Sequence, residues 1–169
     1  MSIVNKIKIP IEKELNDFEP YFKNSLRSDI PWLATILNFL YLTKGKQLRP
    51  MFVFLSAKLH GETNEYSQLA ACSVELLHTA TLVHDDVVDE SYERRGTFSV
   101  NALWRNKLAV LVGDYILARG LQLQLEHQKY NFLHLISRAV QDMAEGEILQ
   151  MKKSRKLDIT DEVYYEIIR

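Results

Sequence analysis

Apolar residues recur at helical spacing along nearly the whole chain, and no run alternates apolar and polar positions long enough to require a strand. The pattern predicts an amphipathic helix over 3–18, interrupted at Pro10. Pro31 suits the first helical position and opens "WLATILNFLYL", a segment that Gly45 ends. A further helix is expected from about Gln47 to Leu59, with Pro50 in its first turn and Gly61 as its stop. Leu69, Cys72, Leu76, Ala80 and Val83 then share one face of a long helix that ends in an acidic cluster. Residues 91–98 read as a loop. Helices follow over Ser99–Arg105, Lys107–Glu126, Phe132–Met151 and Asp161–Arg169. Thr160 caps the last of these, after the charged connector "KKSRKLDIT". The fold class is all-α.

Composition narrows the function more than the fold. The 169 residues suit one domain or a piece of a larger one, and 47% hydrophobic with 25% charged residues is an ordinary globular balance. A net charge of −1 gives no global attraction to nucleic acid or anionic membrane, so charge chemistry has to be local. Cys72 is the sole cysteine; it fits a reducing cytoplasm and reads as a small buried apolar residue. The N-terminus lacks the pattern of a secretory signal. The greasiest stretch, "LAVLVGDYILARGL", is interrupted by Asp114 and Arg119 and reads as too short to span a bilayer, leaving at most peripheral membrane contact.

The local charge sits in "LVHDDVVDESYERRG", residues 82–96. On a helix Asp85 and Asp89 stack about 6 Å apart along the axis, and Asp86 lies about 100° round, close enough to assist. Carboxylates so placed call for a counter-charge, and an all-oxygen donor set favours Mg²⁺. D-D-x-x-D alone is a weak motif, and more often a solvated helix end than a metal site. Three neighbours change that balance. In "GKQLRP", Lys46 and Arg49 lie three apart at a helix start, where backbone N–H groups also face outward and cradle anions. His78 lies seven residues before Asp85 and shares its face. Arg94 and Arg95, beside Gly96, offer guanidinium forks suited to phosphate. Together these supply positive charge for two diphosphates, one of them reached through metal.

"GKQLRP", "ELLHTATLVHDDVVDESYERRG", "VGDYILARG" and "AEGEILQ" resemble the trans-isoprenyl diphosphate synthases, or polyprenyl synthetases, over nearly the whole chain. The resemblance implies an isoprenoid-synthase-type helical bundle around a central cavity, usually as a homodimer. It implies head-to-tail condensation of isopentenyl diphosphate onto an allylic diphosphate with Mg²⁺. By position, Asp85 and Asp89 would be the principal metal ligands with Asp86 supporting. Arg94 would hold the allylic diphosphate, and Lys46, Arg49, His78 and Arg95 the isopentenyl diphosphate. Ala80 and Thr81 stand where the family places aromatic floors for short products. Both are small here, which implies a medium- or long-chain all-trans product. The second aspartate-rich motif and the Lys-Thr pair of the family do not occur in these 169 residues. The chain thus reads as the N-terminal portion of one all-helical synthase domain and is expected to be inactive alone. Two other readings compete. A non-catalytic regulatory subunit would not need the complete charged set, and a terpene cyclase would not need Lys46, Arg49 and His78.

Overall fold

The computed structural model describes residues 3–156 and 164–165. Pro10 does what its missing N–H dictates: it turns the first helix into a 3-10 segment, Ile9–Ile11, between α1 (Ile3–Lys8) and α2 (Glu12–Ser25). Then come α3 (Pro31–Leu42), α4 (Leu48–His60) and α5 (Glu65–Val88). Strands β1 (Glu93–Arg94) and β2 (Thr97–Phe98) precede α6 (Val100–Glu126) and α7 (Tyr130–Lys156). Residues 1–128 form one compact unit and 129–169 a second.

Within the first unit the core begins on α2. Phe18 and Phe22, one turn apart, stack at 5.5 Å, and Phe54 of α4 meets Phe18 edge-on at 6.0 Å. Ile11, Ile36, Leu37, Leu69, Leu76 and Ile116 complete the buried cluster. Cys72 is fully buried there, as expected, and burial pushes its thiol up to about 12, so it is inert at neutral pH.

The most extensive helix pairing is between α5 and α6. Two glycines seven residues apart on α6 make it close. A Cβ at Gly120 would lie 3.5 Å from Leu76 Cβ, and one at Gly113 would overlap the His84 ring. Buried Gln124 of α6 donates a hydrogen bond to Ser73 Oγ. Among the described residues, α6 alone is long and apolar enough by length and composition to cross a membrane. It extends past both ends of the run that reads as too short, because "VNALWRNK" is helical as well. Its packing against α5 is that of a core helix.

α5 is fixed at both ends. Asn64 Oδ1 accepts from the N–H groups of Tyr66 (2.9 Å) and Ser67 (3.2 Å), and Ser67 Oγ accepts the Asn64 N–H in return. At the other end Glu90 takes a positive φ of 52°. The Ser91 N–H donates to Asp86 O (2.9 Å) and the Glu90 N–H to Val87 O (3.4 Å), which closes a Schellman motif.

Three boundaries differ from the sequence expectation. The loop at 91–98 contains a two-stranded hairpin, too short to show alternation. The break expected between Arg105 and Lys107 is a kink inside one helix, at Arg105 (φ 70°, ψ 158°). Finally, α7 runs on to Lys156, into the segment expected to be a connector. Lys and Arg are good helix formers and favour a helix C-terminus, so their charge did not end the helix. The expected cap Thr160 and most of the helix over 161–169 lie outside the described residues; Tyr164 and Tyr165 are helical.

Candidate functional site

The acidic cluster is divided by the end of α5. Asp85 lies in the last helical turn and is half-buried, whereas Asp89 is the C-cap residue and exposed. Burial raises the Asp85 pKa above the ordinary carboxylate value, and the Asp89 charge raises it further; Arg94 opposes both. Two carboxylates of like charge one turn apart are a site that a cation relieves, and oxygen donors suit a hard one. Among the described residues no three His, Cys, Asp or Glu side chains converge as a closed cage.

Asp86 does something else. It is buried, and its carboxylate accepts from Arg94 Nε at 2.8 and 3.0 Å and pairs with Nη2 at 2.7 Å. Its backbone oxygen also accepts from Asn101 Nδ2 at 3.0 Å. In this structure Asp86 faces the arginine rather than the Asp85/Asp89 pair it was expected to support. Arg94, expected beside a diphosphate, is held by that same carboxylate, which raises its pKa.

The hairpin explains how the two arginines separate. Arg94 pairs with Thr97 across the strands, which leaves Arg95 and Gly96 as a two-residue turn. Both have positive φ (56° and 77°), the mark of a type I′ turn. Ser99, the N-cap of α6, ties the base by donating from Oγ to Ser91 O at 2.8 Å. Arg95 at the tip lays its guanidinium against Gly45, where any Cβ would overlap it. The hairpin thus brings Arg95 onto the "GKQLRP" loop.

In that loop Gln47 is left-handed (φ 52°) and stands at the N-cap of α4. Lys46 consequently lies just before the helix, and Arg49 lies in its first turn; both are exposed. Lys46 also lines a cavity of about 430 Å³ with Asn5, Lys8 and Glu12 of the N-terminal segment.

His78 is where these cations meet electrostatically. Burial, aided by the charges of Arg49, Arg95 and Arg94, lowers its pKa from 6.5 to about 4. At neutral pH His78 is therefore a neutral hydrogen-bonding group, not the additional positive charge expected from the sequence. The folded value lies below the ordinary one, so His78 stabilises the fold fully above pH 6.5 and progressively less as pH falls towards 4. A His78 NMR titration should show a neutral ring down to about pH 4, and saturating inorganic diphosphate should raise that midpoint. An ordinary midpoint that diphosphate leaves unmoved would remove His78 from the basic cluster.

Glu75 escaped the sequence reading. It lies one turn before His78 on the same helix, is only 6% exposed, and has Oε2 buried with no hydrogen-bond partner. Its available signal was spacing, three residues before His78 and ten before Asp85, on the face turned towards the arginines. Ala80 and Thr81 part company as well. Ala80 is fully buried in the core, while Thr81 is half-buried and donates from Oγ1 to His78 O at 3.0 Å.

The chain is similar to known proteins over most of its length. The family model described as Polyprenyl synthetase matches residues 30–169. The all-trans-nonaprenyl-diphosphate synthase (geranyl-diphosphate specific) of Rhodobacter capsulatus is 37% identical over 163 residues, covering 96% of this chain and 50% of that protein. The octaprenyl diphosphate synthase of Escherichia coli K12 is 41% identical over 144 residues, 85% of this chain and 44% of that one. Among solved structures, a polyprenyl synthase of Caulobacter crescentus complexed with calcium and isoprenyl diphosphate superposes with a TM-score of 0.91 at 36% identity, covering 98% of this chain and 50% of that one. The chain spans about half the length of the curated relatives it matches.

Proposed function

The chain belongs to the polyprenyl synthetase family, and from that membership we propose that it is the N-terminal portion of a trans-prenyltransferase, one that condenses isopentenyl diphosphate onto an allylic diphosphate. The observation that carries this reading is the juxtaposition of opposite charges along α5. A like-charged Asp85/Asp89 pair ends the helix, and Arg49, Arg95 and Arg94 act electrostatically on His78 two turns earlier. One end suits a metal-bridged diphosphate, the other a diphosphate bound directly. The similar proteins are synthases, which favours this reading over that of a regulatory subunit.

Asp85 and Asp89 would hold Mg²⁺, which when bound supplies Lewis-acid help to the departure of the allylic diphosphate. The chain's own residues do the rest. Arg94, steadied by Asp86, presents its remaining N–H groups beside the acids. Lys46, Arg49 and Arg95 grip isopentenyl diphosphate, and neutral His78 donates to it. The apolar packing of α5 and α6 keeps water from the reacting carbons. Homodimerisation and a cytoplasmic location belong to the same reading.

The test is conversion of labelled isopentenyl diphosphate by the complete enzyme, with products resolved by chromatography. A medium- or long-chain product is expected. Thr81→Phe should shorten it while the first condensation continues, because the acids proposed to anchor the allylic diphosphate lie a turn further along α5. Ala80→Phe is a poorer probe, since overpacking a fully buried site costs about 1–3 kcal/mol. An unchanged product from active Thr81→Phe enzyme would mean that the growing chain runs elsewhere.

A further inference from the structure

Glu75 is a carboxylate in a place where burial alone disfavours it. The side chain is 94% removed from solvent (6% exposed), and Oε2 has no hydrogen-bond partner. Nothing about helix formation calls for it, since any apolar residue would fill the same space on a buried face of α5. Burial raises its pKa above the ordinary carboxylate value. Arg49, on the neighbouring α4, and Arg95, packed on Gly45 at the hairpin tip, are the two cations whose charge favours the ionised form of Glu75. The same two act on His78, one turn further along α5. Arg49 and Arg95 are themselves exposed, on long side chains with many rotamers, and their like charges repel. Guanidinium groups bind phosphate through paired N–H forks, so their value as ligands depends on orientation.

We propose that Glu75 is a positioning residue that anchors the Arg49 and Arg95 guanidinium groups from beneath and aims their outer N–H groups at the isopentenyl diphosphate. This rests on the prenyltransferase reading above. Its orphaned oxygen is the acceptor to which an arginine N–H turns when the site closes on its anion. Glu75 touches neither substrate nor metal; it acts through the arginines.

The experiment compares Glu75→Gln, Glu75→Asp and Arg49→Ala with the wild type in the complete enzyme. It measures separate KM values for the two substrates, kcat and thermal unfolding. Glu75→Gln keeps shape and removes charge. It should raise the isopentenyl KM by roughly tenfold, the scale of one charge-assisted contact. The allylic KM, kcat and Tm should stay near wild type, and Glu75→Asp should recover part of the loss. Four outcomes overturn the proposal. An unchanged isopentenyl KM in folded Glu75→Gln enzyme means that the arginines orient themselves. A lowered KM means that Glu75 only repels the anion. Equal rises in both KM values with a fallen Tm mean that it only packs. If Arg49→Ala also leaves the isopentenyl KM unchanged, the assignment of that diphosphate site fails, and this inference with it; if Arg49→Ala raises it and Glu75→Gln does not, only the role of Glu75 fails.

Discussion

Replacing Asp85 or Asp89 by alanine is expected to lower turnover of the complete enzyme at least about a hundredfold while leaving thermal stability unchanged or slightly higher. A hundredfold corresponds to about 2.7 kcal/mol of transition-state stabilisation, the scale of removing one preorganised electrostatic contact. The unusual half of the expectation concerns stability. Without a cation the two carboxylates disfavour each other's charge, and burial of Asp85 adds to that cost. Removing either one relieves the repulsion. Activity and stability should thus move in opposite directions, which is the signature of a site kept for function. The check is kcat measured alongside calorimetric unfolding. Near-normal turnover in either variant would remove the metal role, and a large fall in Tm would make the pair structural.

Arg94→Ala should behave in the contrary way and cost stability first. Asp86 is 4% exposed and spends both carboxylate oxygens on Arg94. Truncating the arginine strands a buried charge, a change that typically costs about 3–5 kcal/mol. Because about a third of the Arg94 side chain remains accessible (34%), water can reach part of the gap, and the lower end, about 3 kcal/mol, is the expected value. Denaturant unfolding of the variant measures it. The double variant Asp86→Leu/Arg94→Met should recover most of the loss, since buried ion pairs are often replaceable by apolar residues of similar volume. It should not recover activity. An Arg94→Ala protein with wild-type stability and a raised allylic KM would show Arg94 to be a free phosphate ligand with Asp86 incidental.

The acid cluster was legible because its spacing, three residues of one type on a helix end, has a direct chemical reading. What spacing could not show was which acid faces inward. Asp85 and Asp86 are neighbours in sequence, yet 100° of helical rotation sends one to the site and the other into the core. The helices were legible for the same reason, since period is a property of the residues themselves. Pro10, Pro31, Pro50 and Gly61 marked boundaries through backbone geometry that they carry wherever they occur. The hairpin was not, because strands of two residues have no period and the turn uses Arg-Gly in place of the familiar Asn-Gly. Glu75 was passed over because a glutamate in "SVELLH" has no spacing signal of its own beyond its distance from His78 and Asp85, and only the packed structure shows it to be buried. The neutral state of His78 depends equally on partners distant in sequence.

The hairpin between α5 and α6 has too few residues to be stable by itself. It is held from outside, by the Schellman end of α5, the Asp86–Arg94 pair and the Ser99 cap. Residues 89–99 therefore act as a ruler. Inserting one residue anywhere between Asp89 and Arg94 would leave both helices, the acids and the arginines intact in composition. It would nevertheless flip the strand's alternation, so that the arginine meant for the acids faced the loop and its neighbour faced the acids. Apart from Asp89, Arg94, Arg95 and Ser99, positions along this segment can absorb substitutions one at a time; a change in its length cannot be absorbed. Relatives sharing this site should vary in those other letters of the segment while keeping its count.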